Sequence, residues 1–434
     1  MASTRERPPL PEGPYLVVGL ARSGQAAARL LAARGEQVVG IDAGNPDGAE
    51  RLRDAGVEVR LDGDSDEYLG GARCVVKSPG VPRQAPPVKR ALTLGVPVLG
   101  ELELAWRLIP NRFVAVTGTN GKTTVTELLG HVWRTASEPV AVAGNVGTPL
   151  TSLVDELDAG TTVICEVSSF QLEDASVFAP ECAMLLNATP DHLDRHGTFE
   201  DYLAAKLRVF ARQRSGDTAI VDRSDPAIAA LTLPGDASEL DVSTADLGLE
   251  AAGAWMIGPH NVANARFAAA AALAMGIDDD AVARGIETFS GVAHRLERVA
   301  EIGGVAYVND SKATNVAAAV AALESFDGDV HAIMGGSLKG ADFTALAEPV
   351  ARRCAAVYLT GPATEPIAAA LKPTGVPMVT STDLAAALGK AASVARPGAT
   401  VLLAPACASF DAYRDFEARG DHFRELVRAM EAAS

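Results

Sequence analysis

The chain has 434 residues, 48% of them apolar and 21% charged, with a formal net charge of −17. That length suggests about three domains at roughly 150 residues each, and the apolar share lets each bury a core. Such acidity makes nucleic acid a poor partner, because no Lys/Arg run is long enough to offer a basic stripe to a polyanion.

The N-terminal stretch MASTRERPPLPEGP is polar and Pro-rich, without the apolar segment of a signal peptide. No run approaches the roughly 20 apolar residues of a membrane-spanning helix. A soluble cytoplasmic monomer is expected, with no membrane contact. The five cysteines are scattered with no CxxC pair, so neither a zinc site nor a disulfide framework is expected. Cys165, Cys182 and Cys354 read as small buried hydrophobes.

Short β-branched runs alternate with Ala/Leu-rich helical segments, the pattern of parallel α/β domains. The first series predicts strands at 15–19, 37–42, 74–80 and 96–100, then a helix over 101–111 stopped by Pro110. The second predicts strands at 113–118, 139–144, 161–168, 182–188 and 218–222. The third predicts strands at 305–310, 330–336, 356–361, 376–381 and 400–406. Three consecutive α/β domains follow: 1–100, Rossmann-like; 101–291, a P-loop ATPase domain; 292–434, again Rossmann-like.

In the first series, G-L-A-R-S-G (19–24) follows a strand and Asp42 ends the next one. This is close to a dinucleotide fingerprint but lacks its middle glycine. It reads either as an ordinary tight turn or as a diphosphate site at a helix N-terminus, for a nucleotide-bearing substrate rather than NAD. Ser78-Pro79-Gly80 is a second strand-end turn that can face the same cleft, with Ser23, Gly24, Asp42 and Ser78 as candidate contacts.

The second series opens with FVAVTGTNGKTT (113–124). Amides of a Gly-rich turn entering a helix make an anion cradle. Gly118, Thr119, Asn120, Gly121, Lys122, Thr123 and Thr124 form the candidate ATP loop. Lys122 reaches the β/γ-phosphates and Thr123 ligates Mg²⁺. The strict pattern fails at Val116, where its first glycine belongs. Glu166, closing an apolar strand, is placed to hold the same ion as a Walker B acid does. In NATPDHLDRHG (187–197), Asp191, His192 and Asp194 read equally as a metal cluster or a helix-capping turn. In DYLAAKLRVFARQ (201–213), Tyr202, Leu203, Leu207 and Phe210 share one helical face with Lys206. Such a lysine is either a snorkelling side chain or a desolvated amine of lowered pKa.

In the third series, HRLE (294–297), NDSKATN (309–315), GGSLKGADF (335–343) and PACASFDAYRDFEARG (405–420) sit at strand ends. Ligands gather at that edge in open α/β folds.

Taken together, TGTNGKTT, GNVG (144–147), EVSSFQLE (166–173), NATPDHLDRH, AAKLR (204–208), GPHNVANA (258–265), HRLE, NDSKATN and PACASFD make the chain resemble a Mur ligase, from about Gly19 to Gly420. The resemblance implies ATP-dependent amide-bond formation in peptidoglycan synthesis. A carboxylate is phosphorylated and an amino-acid amine attacks the acyl phosphate. The sister DNPR motif for diaminopimelate or lysine is absent, which points to UDP-N-acetylmuramoyl-L-alanine and D-glutamate as partners. It further implies that Lys206 is carbamylated and serves a second Mg²⁺ beside His192, with Thr123 and Glu166 on the first. Asn145 and His192 then contact the UDP-linked substrate. Asn264, Arg295 and Asp310 line the adenosine, and Lys312, Thr314, Lys339, Ser409 and Phe416 form the D-glutamate pocket. Closure of the third domain about hinges near 100–112 and 288–294 is expected. The residues after Asp42, Ala-Gly-Asn, bring no basic residue to the uridine.

Three other readings fit less. A motor or switch calls for a strict Walker loop, and a translocase also for basic grooves. A non-catalytic nucleotide sensor needs no second metal position. A folylpolyglutamate-type ligase shares the chemistry, but the first-domain turn with Asp42 favours a UDP-sugar.

Overall fold

A computed structural model describes residues 5–61, 69, 71–245, 247, 259–338 and 340–433. Its strands form three sheets. In the first, β1 (Tyr15–Val18), β2 (Val38–Asp42), β3 (Glu58–Leu61), β4 (Cys74–Lys77) and β5 (Val98–Gly100) run parallel in the order β3-β2-β1-β4-β5. The central strands β1 and β4 are buried throughout, as strands covered on both faces must be. Strand order reverses between them, which opens a crevice at their C-terminal ends.

The second sheet contains β6 (Phe113–Thr117), β7 (Val140–Gly144), β8 (Thr162–Glu166), β9 (Cys182–Leu185), β10 (Thr218–Val221) and β11 (Ser238–Asp241), ordered β11-β10-β9-β6-β8-β7 and all parallel. Its core centres on Phe178, which meets Trp106 and Phe113 edge-on. The linking helix Glu101–Leu108 ends two residues before Pro110, whose ring disfavours helical backbone in the residue before it. Its buried Glu103 accepts the backbone amides of Ser176, Val177 and Phe178.

The third sheet contains β12 (Glu297–Ile302), β13 (Val305–Asn309), β14 (Val330–Gly335), β15 (Cys354–Thr360), β16 (Met378–Thr380) and β17 (Thr400–Leu403), ordered β12-β13-β17-β14-β15-β16. It is mixed rather than purely parallel. β12 runs antiparallel to β13, with a bulge between Arg298 and Ala300, and the other neighbours are parallel.

Three strands escaped sequence reasoning: EVRL, SELD and ERVAEI. All are edge strands with exposed polar positions, so they lack the apolar runs that mark central strands. The predicted helix over 201–213 is shorter, at Phe199–Leu207. Cys74, Cys165, Cys182 and Cys407 are buried, whereas Cys354 is half-buried. By contacts the chain forms two compact units: Met1–Ala251 with Asn264–Ile286, holding the first two sheets, and Ala252–Ala263 with Glu287–Ser434, holding the third. Among the described residues no helix is long and apolar enough to cross a membrane.

Candidate active site

The phosphate loop leaves β6 and enters the helix Lys122–Thr135. Gly121 is the residue before that helix and takes the left-handed conformation, at φ 85°. A Cβ there would lie 2.4 Å from Asn264 Oδ1, so both backbone and space require glycine. The first helical turn carries no acidic residue, which leaves the helix N-terminus open to an anion. Lys122 Nζ folds back onto the carbonyls of Gly118 and Thr119, at 2.9 and 2.8 Å. Asn187 braces the loop: its Oδ1 accepts the Asn120 amide at 2.9 Å, and its carbonyl accepts the Thr119 amide.

Thr123 Oγ1 donates to Glu166 Oε2 at 2.8 Å, and Asn145 Nδ2 donates to Glu166 Oε1 at 3.0 Å. Glu166 is buried at the end of β8. A hydroxyl and a carboxylate in contact beside a phosphate loop are hard oxygen donors, and this pair fits one Mg²⁺ completed by phosphate and water. Among the described residues, no group of three or more His, Cys, Asp and Glu could hold a metal without such partners.

Lys206 is 2% exposed, and its Nζ donates to the Gly118 carbonyl at 2.7 Å. The nitrogen also lies 4.6 Å from the Tyr202 ring centroid. Burial first, then the charge of Lys122, push its pKa down to about 6, against the pull of Asp191 and Glu166. The snorkelling alternative is excluded by this burial. A neutral amine is the form that adds CO₂, whereas an ammonium repels a cation. The bare amine therefore fits no second Mg²⁺, and its carbamate would. Tyr202 contributes its hydroxyl to Thr119 Oγ1, 3.0 Å away, a contact no spacing rule announces.

In the 187–197 segment no described side chain caps the helix that follows, and the His192 amide donates to Asp191 Oδ1 at 2.9 Å. His192 takes φ 52° ahead of the short helix Leu193–His196, and its side chain is 51% exposed, 3.5 Å from Asp191. Its ring packs 4.9 Å from Phe170. The side chain of Asp194 lies outside the described residues. His196, which sequence reasoning passed over, has a covered side chain that meets Glu173 and Ser169.

In the first sheet's crevice, Gly19, Arg22, Ser23, Asp42, Ser78 and Gly80 line a cavity of about 300 Å³, joined by Asn145 and Gln171 of the second domain. Asp42 accepts the Leu20 and Gly44 amides, at 2.6 and 2.9 Å, and so holds the turn closed. Ser78 Oγ donates to the Gly19 carbonyl at 2.7 Å. Gly24 sits so close to that carbonyl that a Cβ would meet it at 1.8 Å. The turn is tightly closed, and Arg22 is a basic residue among those lining the cavity.

In the unit of the third sheet, Asp310 is buried at the C-terminal end of β13 and accepts the Leu296 amide at 3.3 Å. Burial raises its pKa to about 6, although Arg295 and Lys312 favour the charged form. Lys312 Nζ lies 5.8 Å from the Phe416 ring centroid. Ser409 is buried, with its carbonyl accepting the Tyr413 amide. Thr314 is half-buried beside Lys312, to whose carbonyl its amide donates. Lys339 lies outside the described residues. Arg419, not singled out by the sequence, is the buried cation that ties this edge together through Ser311, Cys407 and Ala408.

Comparison with known proteins agrees in all three segments. Residues 14–100 match the Mur ligase MurD-like N-terminal domain, 116–255 the Mur ligase middle domain, and 294–407 the Mur ligase glutamate ligase domain. A relative from Pelotomaculum thermopropionicum, named UDP-N-acetylmuramoylalanine–D-glutamate ligase, is 42% identical over 96% of this chain and 97% of its own. One of the same name from Acidobacterium capsulatum is 40% identical over the same shares. Among solved structures, the UDP-N-acetylmuramate–alanine ligase of Thermotoga maritima superposes with a TM-score of 0.57 at 20% identity, covering 98% of this chain and 100% of that one, a likeness of fold. The chain belongs to the Mur ligase family, enzymes that form amide bonds at the expense of ATP.

Proposed function

We propose that this ligase joins D-glutamate to UDP-N-acetylmuramoyl-L-alanine, a cytoplasmic step of peptidoglycan synthesis. The observation that carries the reading is the meeting of Lys206 with the phosphate loop. An amine held neutral by burial lies 2.7 Å from the Gly118 carbonyl, in the same loop region as the Thr123–Glu166 pair. A binding module has no use for that arrangement, and relatives about 40% identical over nearly the whole chain carry the D-glutamate ligase name.

Condensing a carboxylate with an ammonium in water is uphill, so the carboxylate must first gain a leaving group. The loop amides and Lys122 hold the triphosphate for transfer of its γ-phosphoryl. Thr123 and Glu166 would hold one Mg²⁺, and carbamylated Lys206 with His192 a second. These ions supply charge stabilisation for the phosphoryl in flight. Asn145 and the 19–24 and 78–80 turns (Ser23, Gly24, Asp42, Ser78) position the UDP-linked acid. Asn264, Arg295 and Asp310 take the adenosine, and Lys312, Thr314, Lys339, Ser409 and Phe416 the D-glutamate. Lysine charge suits the acceptor's carboxylates. The segments 1–100, 101–291 and 292–434 then serve as UDP-substrate, ATP and amino-acid domains.

The test is phosphate release from ATP and Mg²⁺ with UDP-N-acetylmuramoyl-L-alanine and a panel of amino acids: D- and L-glutamate, L-lysine, D- and L-alanine. Release with D-glutamate alone is expected. Release with another amino acid moves the assignment to a sister ligase, and none with any of them overturns the reading.

A further inference from the structure

The turn at residues 78–81 is gripped by cations. Arg195 Nη1 donates to the Pro79 and Gly80 carbonyls at 3.0 and 3.3 Å, and its Nη2 donates to the Val81 carbonyl at 3.0 Å. Lys77 Nζ adds a bond to the Val81 carbonyl at 2.9 Å and pairs with buried Asp174 at 2.8 Å. The guanidinium is itself fixed, 4.2 Å from the Phe170 ring centroid and 3.4 Å from Glu173, with the side chain 13% exposed. Three consecutive carbonyls of one domain thus converge on one side chain of the next.

Two consequences follow from peptide geometry. In a trans peptide the N–H points opposite to the C=O. With the Pro79 carbonyl turned to Arg195, the Gly80 amide is turned away from it, and Gly80 lines the 300 Å³ cavity. The Val81 amide is already used by the Ser78 carbonyl. Arg195 also stands three residues after His192, on the helix that His192 precedes. One side chain therefore sets the donor geometry of the cavity wall and anchors the loop that carries His192.

We propose that Arg195 is a positioning residue for an anionic, diphosphate-bearing substrate. It holds the 78–81 turn with the Gly80 amide available to the anion and locks that turn to the His192 loop, so substrate capture and the phosphorylation site form one rigid unit. The assignment rests on the UDP-substrate reading of the cavity. It predicts a selective defect, because the contacts of Arg195 run to the 79–81 carbonyls, Glu173 and Phe170.

The experiment compares wild type, Arg195→Ala and Arg195→Lys in steady-state kinetics and in calorimetric titration with UDP-N-acetylmuramoyl-L-alanine without ATP. Arg195→Ala is expected to raise KM and Kd for that substrate about 10- to 100-fold, the effect of losing one or two charged hydrogen bonds. KM for ATP and D-glutamate should stay within about twofold, since uniform loss of fold would move all three. Arg195→Lys retains one donor group and should recover part of the affinity. If Arg195→Ala does not fold, Arg195→Lys carries the test alone. Its KM and Kd must then rise for the UDP-linked substrate only. Unchanged Kd in a folded variant, or equal loss in every parameter, overturns the proposal while leaving the ligase reading intact. Wild-type protein that neither binds nor turns over this substrate overturns both.

Discussion

Lys206 Nζ lies 2.7 Å from the carbonyl oxygen of Gly118, so the second domain's buried lysine touches the loop that would cradle the triphosphate. The contact joins a residue on the helix Phe199–Leu207 to one 88 positions earlier at the end of β6. Its energetic oddity is that, among the described residues, the hydrogen-bond partner of this buried amine is a neutral backbone carbonyl. Burial at that cost is reasonable where the amine is to be converted into a carboxylate.

The first prediction concerns that conversion. In ¹³C-bicarbonate the wild-type protein should show a carbamate resonance that Lys206→Ala lacks. Lys206→Arg should lack it as well, because a guanidinium stays charged and adds no CO₂. Both variants should lose about 100-fold or more in kcat, the scale of removing a preorganised charge-stabilising group. A carbamate signal that persists in Lys206→Ala would place the modification elsewhere.

A second prediction separates metal binding from folding at Glu166. Glu166→Gln keeps an oxygen to accept the Thr123 hydroxyl and the same side-chain volume. It loses the charge. The variant should retain its melting temperature within a few degrees while kcat falls by about 10²- to 10³-fold. Its Mg²⁺ requirement, read as the concentration for half-maximal rate, should rise. Unaltered Mg²⁺ dependence would remove Glu166 from the metal site.

Asp310 is expected to reduce stability at neutral pH. Its folded pKa of about 6 lies above the ordinary carboxyl value of 3.8, with burial as the main cause. The unfolded chain therefore releases the proton first as pH rises. Its contribution to stability is most favourable below about pH 4, falls between about 4 and 6, and stays reduced above. The loss is about 3 kcal/mol at most, from a shift of about two units at ~1.4 kcal/mol each. Asp310→Asn should flatten the dependence in that window and raise the melting temperature at pH 7. Urea unfolding at pH 4, 6 and 7.5 measures it. Parallel pH curves for the two proteins would contradict the assignment.

Gly24 tests the cradle in the first sheet. Alanine there would bring Cβ to 1.8 Å from the Gly19 carbonyl, so the turn must open. Gly24→Ala should cost about 1–3 kcal/mol in urea denaturation. Because the Gly19 carbonyl also accepts the Ser78 hydroxyl, KM for the UDP-linked substrate should rise with it. An alanine variant with native stability and KM would show that the turn is not the tight cradle described.

The sequence by itself determined the central strands, the order of three α/β segments and the phosphate loop. These are local matters: buried parallel strands demand unbroken apolar runs such as YLVV and TVICE, and an anion cradle needs glycine beside a helix start. Edge strands such as EVRL and ERVAEI stayed hidden, because solvent on one side relaxes that demand. Spacing left Lys206 undecided between surface and interior, since periodicity says which face a residue shares and not how deeply that face is covered. Only tertiary structure decided it, by packing Tyr202 and the phosphate loop around the amine. The grip of Arg195 on the 78–81 turn was equally unreadable. Its partners are backbone carbonyls about 115 residues away, and any sequence supplies carbonyls, so folding alone selects which three converge.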